Sequence, residues 1–367
     1  MKQLLVCNVC GDECIAPIQQ YIMSNRTGDV VAGVEARADK MDADILYLLP
    51  EGFEVEGLTG DVRHGVQSVV TSNPYAVLQE LKGKLPRPRT DLDLISVYED
   101  HAITVISPEE AYRESTQRPV KFVAVSAAGN TSVMEVMIGT PVSELLTGES
   151  KAVLKGGLRG EFLLPSSLDK VVIGEDYLSD SLTVYNKNDC IVDTLAKLMT
   201  KSQRTSCGKC VLCREGTLQF KTILAEMTTG KARPTDLSML QEVGELVKTG
   251  SYCSFGQNMP NTMLSAMELF PEEFEEHVRK KSCQAGVCYK AEAIHVILPD
   301  LCTGCEDCID ACPEEAIIGK SKFIHMIDQD MCEQCGKCVD ACEEGAIVLI
   351  EGKLPKLPKK LTKVGKF

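Results

Sequence analysis

The residues able to do chemistry in this chain are its cysteines, and their spacing sorts them. From Cys302 the sequence runs Cys302-Thr-Gly-Cys305-Glu-Asp-Cys308-Ile-Asp-Ala-Cys312-Pro313. It then nearly repeats as Cys332-Glu-Gln-Cys335-Gly-Lys-Cys338-Val-Asp-Ala-Cys342-Glu343. Cysteines two residues apart in a tight loop set three thiolates around one corner of an iron–sulfur cube. The fourth cysteine, four positions on, has turned into a helix and ligates the partner cluster. The expected [4Fe-4S] sets are Cys302, Cys305, Cys308 with Cys342, and Cys332, Cys335, Cys338 with Cys312. Zinc knuckles or buried thiols are the alternative, but zinc sites use two cysteine pairs rather than runs of four. Glu343 replaces the Pro313 of the first run, which removes a rigid turn and adds a carboxylate expected to favour the oxidised state slightly.

A second constellation reads Ser206-Cys207-Gly-Lys-Cys210-Val-Leu-Cys213-Arg214-Glu215-Gly216, with Cys253 in the loop Ser251–Gly256. Three close thiolates beside the positive end of a helix, and one returning from a later loop, suit a third [4Fe-4S] cluster. Zinc at the same four positions is the runner-up. Cys7, Cys10 and Cys14 open the chain as Cys7-Asn-Val-Cys10-Gly-Asp-Glu-Cys14. They are either spare thiols on a strand-to-helix turn or an incomplete set for a further metal or cluster, whose fourth ligand a partner chain or distant side chain would supply.

The elements that must position these groups follow from periodicity. Residues 1–118 alternate strand and helix signals: β-branched or aliphatic runs at 28–38 and 44–49, and a short helix from Pro74 to Leu81 closed by Gly83. No glycine-rich phosphate loop is present. Within 119–180, Phe122–Ser126 and Val133–Ile138 alternate as strands around a Gly129-Asn130 turn, and Pro141 opens a short helix through Leu146, a pattern that suits a β-grasp module. From Asp189 the pattern is helical, with Ile191, Leu195, Leu198 and Met199 on one face. Helices are expected at about 215–228, 236–249 and 259–270, the second with a core stripe of Leu237, Leu240, Val243, Leu246 and Val247. The resulting domains are 1–118, 119–180, a helical bundle at 181–281, a cluster domain at 282–350 and a solvated basic tail at 351–367. The fold class is α+β multidomain.

With 367 residues and a net charge of −14, the chain is long enough for several cores and is poorly suited to nucleic acid or an anionic membrane surface. No apolar run approaches the length of a membrane span, and Met1–Cys7 is too short for a signal peptide. Eighteen cysteines in an expected cytoplasmic, reducing setting point to metal rather than disulfides.

These motifs carry a resemblance. Residues 302–342 resemble a bacterial-type ferredoxin with two clusters. Ser206–Thr217 and Ser251–Glu276 look like the flavin-bearing NADH-oxidising subunit of respiratory complex I. The chain is more similar still to the homologous subunit of electron-bifurcating [FeFe]-hydrogenases and related formate dehydrogenases, over roughly residues 65–350. The resemblance implies that 119–180 is the family's SLBB β-grasp module and that 1–118 is a remnant of its flavin domain. The family's Gly-Glu-Glu nucleotide element falls on Ser72-Asn73-Pro74, so binding of FMN or NADH is not expected. It also implies a zinc-type site, matched here by Cys190, Cys283, Cys288 and His295, between the bundle and the ferredoxin tail; three buried thiols and an exposed histidine are the alternative.

The expected function is therefore an iron–sulfur relay subunit of an oxidoreductase complex in an anaerobe, one that could be electron-bifurcating. Its expected partners are a flavoprotein with FAD and NAD(P), a catalytic reductase or dehydrogenase, and ferredoxin. A flavin-dependent NAD(P)H-oxidising subunit and a structural scaffold are the alternatives.

Overall fold

Alternating strands and helices at the start of the chain assemble into an open sheet. The computed structural model describes residues 2–11, 17–88, 97–98, 100–175, 181–289, 293–329, 331–350, 354–358 and 360–367, and the chain divides into two units, Met1–Tyr289 and Lys290–Phe367. The first unit begins β1 (Lys2–Asn8), α1 (Ile18–Asn25), α2 (Thr27–Met41), β2 (Ala43–Pro50), β3 (Asp61–Gly65), α3 (Pro74–Leu81), β4 (Val97–Tyr98), β5 (His101–Ile106) and α4 (Pro108–Thr116). The sheet order is β3-β2-β1-β5-β4, parallel throughout except for the edge strand β4. Because β1 is central and covered on both faces, its sequence is an unbroken apolar run rather than an alternating one.

The run at 28–38, grouped above with 44–49 for its β-branched residues, is helical. Val30, Val31, Val34 and Ala38 lie on the buried face of α2, and that face packs against Leu5, Tyr47 and Ala111; tertiary burial outweighs the weak strand preference of valine. Helix α4 starts with a capping box: Glu110 N–H donates to Ser107 Oγ at 3.2 Å, and Ser107 N–H donates to the Glu110 carboxylate at 2.7 Å. The close crossing of α2 and α4 needs Gly33, since a Cβ there would stand 1.9 Å from the Ala111 carbonyl oxygen.

A second sheet follows, built from β6 (Val120–Ala127), β7 (Asn130–Met137), β8 (Ala152–Lys155), β9 (Glu161–Leu163) and β10 (Ser181–Tyr185) in the order β7-β6-β10-β8-β9. Only β6 and β10 pair in parallel. The hairpin turn is Ala128-Gly129, one residue earlier than its glycine–asparagine signal suggests, and both residues have positive φ (49° and 82°), as a tight two-residue turn demands. The expected helix from Pro141 is a single 3₁₀ turn, Val142–Leu145.

The bundle comprises α5 (Ile191–Thr205), α6 (Val211–Thr228), α7 (Thr235–Gly250), α8 (Ser254–Leu269) and the short α9 (Pro271–Glu275). Helices α6 and α8 begin earlier than expected because Cys210 and Cys253 are their N-cap residues. In α7 the buried face is Asp236, Leu240, Gly244 and Val247; Leu246, expected in the core stripe, is 56 % exposed. The bundle core gathers Leu195, Met199, Phe220, Leu224, Met259 and Met263.

In the second unit, Ile294–Ile297 pairs antiparallel with Ile347–Ile350, and 317–318 with 326–327. The basic end is not wholly a solvated tail. Thr362–Lys363 pairs antiparallel with Phe323–Ile324, covering an edge that would otherwise be open, while 351–353 and 359 lie outside the described residues. Among the described residues no helix is long and apolar enough to cross a membrane.

Substituting Gly33→Ala forces α2 and α4 apart. It is expected to cost about 1–3 kcal/mol and to lower the first unit's thermal transition in calorimetry of the full chain, leaving the second unit's transition in place.

Candidate metal centres

In the second unit each cysteine run folds as a loop followed by one helical turn, Asp307–Asp310 or Lys337–Asp340, which carries Cys308 and Cys338 inward to buried positions. One cavity is lined by Cys302, Cys305, Cys308 and Cys342. The other is lined by Cys332, Cys335, Cys338 and Cys312. The fourth cysteine of each run therefore faces the cavity of the opposite run. Backbone amides aim it there: Ala346 N–H donates to Cys342 Sγ at 3.3 Å, and Ala316 N–H to Cys312 Sγ at 3.4 Å. Burial pushes the Cys308 thiol up to about 12, and charge on Cys302, Cys305 or Cys342 adds to the shift. Cys338 is raised by burial and then by Cys332. Four sulfur donors facing one apolar space are the donor set of a [4Fe-4S] cluster, and both sets fit it.

In the bundle, Cys207 and Cys210 sit between α5 and α6, Cys213 lies in the first turn of α6, and Cys253 caps α8. Cys213 is raised to about 12, by burial first and then by Cys210, Cys253 and Cys207, with the Ser206 hydroxyl at 3.5 Å pulling the other way. The four thiols are thus close enough to feel one another's charge. Two helix N-termini flank them, and their positive ends suit a net-negative group. This set also fits a cubane.

A third kind of group forms where α5 begins. Cys190, His277, Cys283 and Cys288 bring their ligand atoms within 4.8 Å of one another. His277 Nε2 lies 3.3 Å from Cys190 Sγ and 3.4 Å from Cys288 Sγ, and the two sulfurs are 3.7 Å apart. On its other side, His277 Nδ1–H donates to the Glu273 carbonyl at 2.7 Å. That bond fixes the tautomer and leaves the Nε2 lone pair facing the sulfurs, the usual arrangement of a metal-ligating histidine. Cys190 is drawn down, chiefly by hydrogen bonding from Cys288 and also by the Asp193 N–H, against a burial penalty. Cys₃His at this spacing fits tetrahedral zinc. The expected histidine was His295, and the structure replaces it with His277. His295 lies in the second unit on the strand Ile294–Ile297, where its Nδ1 is 2.9 Å from Gln334 Oε1. The sequence signal for His277 was available: Glu273 and His277 are four apart in a helical stretch leading to Cys283.

The N-terminal thiols do not converge. Cys7, in β1, packs with Leu5 and Val9 in one core cluster, and Cys10, just past the end of β1, packs with Leu4 and Val6 in another. Both are fully buried, burial raises the Cys7 thiol, and Cys14 lies outside the described residues. Of the two readings open for these cysteines, the arrangement of Cys7 and Cys10 fits spare thiols on a strand-to-helix turn. Beyond them, the carboxyl end of β1 is engaged by residues 68–71. Ser68 N–H and the Thr71 hydroxyl both donate to the Cys10 carbonyl, at 3.0 and 2.7 Å, and the Asn8 side-chain amide donates to the Thr71 carbonyl at 2.8 Å. Ser72-Asn73-Pro74 follows directly, with Asn73 capping α3.

Residues 193–277 match the family model of the NADH-ubiquinone oxidoreductase-F iron-sulfur binding region, and residues 294–346 match the 4Fe-4S dicluster domain. The chain is 29 % identical over 315 residues to the HndC component of the NADP-reducing hydrogenase of Solidesulfovibrio fructosivorans, covering 76 % of this chain and 64 % of that one. It is 22 % identical over 262 residues to the NADH-quinone oxidoreductase F protein of Streptomyces coelicolor, covering 62 % and 58 %. Among solved structures, the NAD+-reducing [NiFe]-hydrogenase in its H2-reduced state aligns with a TM-score of 0.69 at 19 % identity, over 76 % of this chain and 57 % of that chain. The chain spans less than two-thirds of the length of these relatives. Homology to the two relatives and the mixed α/β multidomain fold follow from these matches.

The two histidines make the metal site testable. Under a chelator challenge followed by metal analysis, zinc is expected to stay with His295→Ala and to leave His277→Ala, with affinity falling at least tenfold.

Proposed function

We propose, on the premise that this chain carries the iron–sulfur regions of the NADH-quinone oxidoreductase F protein and its hydrogenase homologues, that it is an electron-relay component of a multisubunit oxidoreductase. The observation that carries this reading is the sorting of twelve cysteines into three groups of four, one in the bundle and two in the second unit. Bound at such sets, [4Fe-4S] clusters carry single electrons without binding substrate. The protein's part is to supply thiolates, exclude water and place amide hydrogens on sulfur, as the Ala316 and Ala346 N–H groups do.

The Cys190 group serves as a structural zinc site in this reading. Its ligands come from the start of α5, from the segment after α9 and from Cys283 and Cys288, so closing it ties the end of the first unit back to the bundle. The sheet around β6 and β10, with its single parallel pair, supports an SLBB module that runs past residue 180 to include β10 at Ser181–Tyr185. The relay's partners are a flavoprotein bearing FAD and NAD(P), a catalytic reductase or dehydrogenase, and ferredoxin, in the cytoplasm.

Residues 1–118 act as a remnant of a flavin domain in this reading. Ligands of parallel sheets sit beyond the carboxyl ends of strands at the point where strand order reverses, which here is the end of β1. The Cys10 carbonyl and Asn8 amide at that point are already engaged within the chain, and Ser72-Asn73-Pro74 offers no carboxylate to nucleotide hydroxyls.

Anaerobically purified full-length chain is expected to hold about twelve irons, four for each of three cubanes. It should show no flavin absorbance and no NAD(P)H-driven viologen reduction without its partners. Stoichiometric FMN together with that activity in the lone chain would make it an NAD(P)H-oxidising enzyme instead.

A further inference from the structure

The repeat in the second unit is longer than its cysteine runs. Ile294-His295-Val296-Ile297 precedes Cys302 as Ile324-His325-Met326-Ile327 precedes Cys332, so each half contributes one histidine. These histidines cross between halves as the fourth cysteines do. His325 lines the cavity of Cys302, Cys305, Cys308 and Cys342, and His295 lines that of Cys332, Cys335, Cys338 and Cys312.

Their hydrogen bonds differ. His325 is 1 % exposed, and its Nδ1 lies 3.1 Å from Cys308 Sγ. A thiolate that holds iron offers only lone pairs, so the hydrogen of this bond sits on Nδ1. His295 is held elsewhere. Its Nδ1 is 2.9 Å from Gln334 Oε1, and its backbone N–H donates to the same oxygen at 2.9 Å. Gln334 Nε2 donates to Gln329 Oε1 at 3.0 Å, and Gln329 Nε2 donates to the His295 carbonyl at 2.9 Å. The positions matching Gln334 and Gln329 in the other half are Gly304 and Pro299, which have no polar side chain to compete for His325. Gly304 is required there: its φ is +72°, and a Cβ would stand 2.6 Å from the Phe323 carbonyl oxygen.

We propose that His325 acts through Cys308 as a positioning residue that raises the reduction potential of the cluster seated by Cys302, Cys305, Cys308 and Cys342, and that Gln334 withholds the equivalent bond from the other cluster. The proposal rests on the cluster reading above. An N–H on a ligand sulfur draws charge off it and favours the reduced, more negative state. Backbone N–H bonds do not distinguish the two sets among the described residues. His325 N–H and Ala346 N–H serve Cys302 and Cys342, and Gln334 N–H and Ala316 N–H serve Cys332 and Cys312. The imidazole is the difference. It works against the local charge, because Glu306, Asp307 and Glu343 flank the His325 cluster where the other half has Gly336, Lys337 and Pro313. The carboxylates of Asp307 and Glu343 belong to exposed residues and are screened by solvent, whereas the His325 bond acts in a buried, weakly polar setting.

Potentiometric titration of the full-length chain, followed by EPR with iron counted per chain, tests this. His325→Leu is expected to lower one ferredoxin-type cluster so that its reduced-to-oxidised ratio at fixed potential falls about tenfold, about 59 mV for one electron. His325→Asn, whose amide nitrogen stands where Nδ1 does, is expected to restore it. Gln334→Gly, which the positive φ of 56° at that position accommodates, frees His295 and is expected to raise the other cluster. If His325→Leu loses iron, the Gln334→Gly arm decides. Clusters present with potentials unmoved by these changes overturn the role of the histidines alone, while a wild-type chain without [4Fe-4S] signals overturns the relay reading as well.

Discussion

A short loop cannot surround a cube, and the second unit is built around that limit. Cys302, Cys305 and Cys308 occupy one side of their cavity, and the helical turn that follows carries Cys312 away to the other half, so the remaining side is closed by Cys342. Neither half can complete its own donor set. The two repeats are therefore interdependent in a way their sequence similarity alone would not require, and the antiparallel pairing of Ile294–Ile297 with Ile347–Ile350 joins the start of one half to the end of the other. The histidines obey the same exchange, because each precedes the cysteine run of its own half and reaches the cavity of the other.

The first unit solves a related problem with a carboxylate. Glu273 on α9 accepts the Ile191 N–H at the start of α5 at 3.2 Å and the Lys151 ammonium at 2.6 Å, while its backbone carbonyl receives His277 Nδ1–H at 2.7 Å. One residue thus fixes a helix start, an ion pair with the second sheet's border and the tautomer of a ligating imidazole. The pair is largely buried on both sides, so removing either partner would strand a charge in a weakly polar place. The packing here and the sulfur–nitrogen donor set cannot be disentangled, which explains why Cys190 serves at once as the N-cap of α5, accepting the Asp193 N–H, and as a member of the Cys₃His group.

Much of this was legible because cysteine spacing is a local signal. The runs from Cys302 and Cys332, and the triplet from Cys207 with Cys253, are grouped by structure as their spacing implies. What escaped was non-local. His295 and His277 are both histidines near Cys283 and Cys288 in sequence, and only the fold says that one belongs to a strand bonded to Gln334 while the other lies in the helical segment Glu276–Lys280 beside Cys190. Leu246 was assigned to a core stripe because it is apolar at nearly the right interval, but the face of α7 that packs is set by the neighbouring helices. The run at 28–38 misled in the opposite direction, since β-branched residues on one helical face look like a strand until their burial partners are known. Cys7 and Cys10 are close in sequence, and only the fold shows that they enter different core clusters.

The same accounting of polar groups separates a scaffold from a site. At the end of β1, where a parallel sheet would offer free backbone to a ligand, the carbonyl of Cys10 receives two donors and the amide of Asn8 is spent on Thr71. Every one of those bonds would have to be broken, at a net cost of about 0.5–1.5 kcal/mol each, before a nucleotide could use the same groups. At the cysteine groups the balance is reversed. Burial and mutual charge push Cys213 and Cys308 up to about 12, so gathering these sulfurs is unfavourable for them as free thiolates, and it becomes favourable only with cations that hold them deprotonated. The polar groups at the end of β1 are thus satisfied within the chain, whereas the gathered sulfurs are the groups that gain from a bound cation.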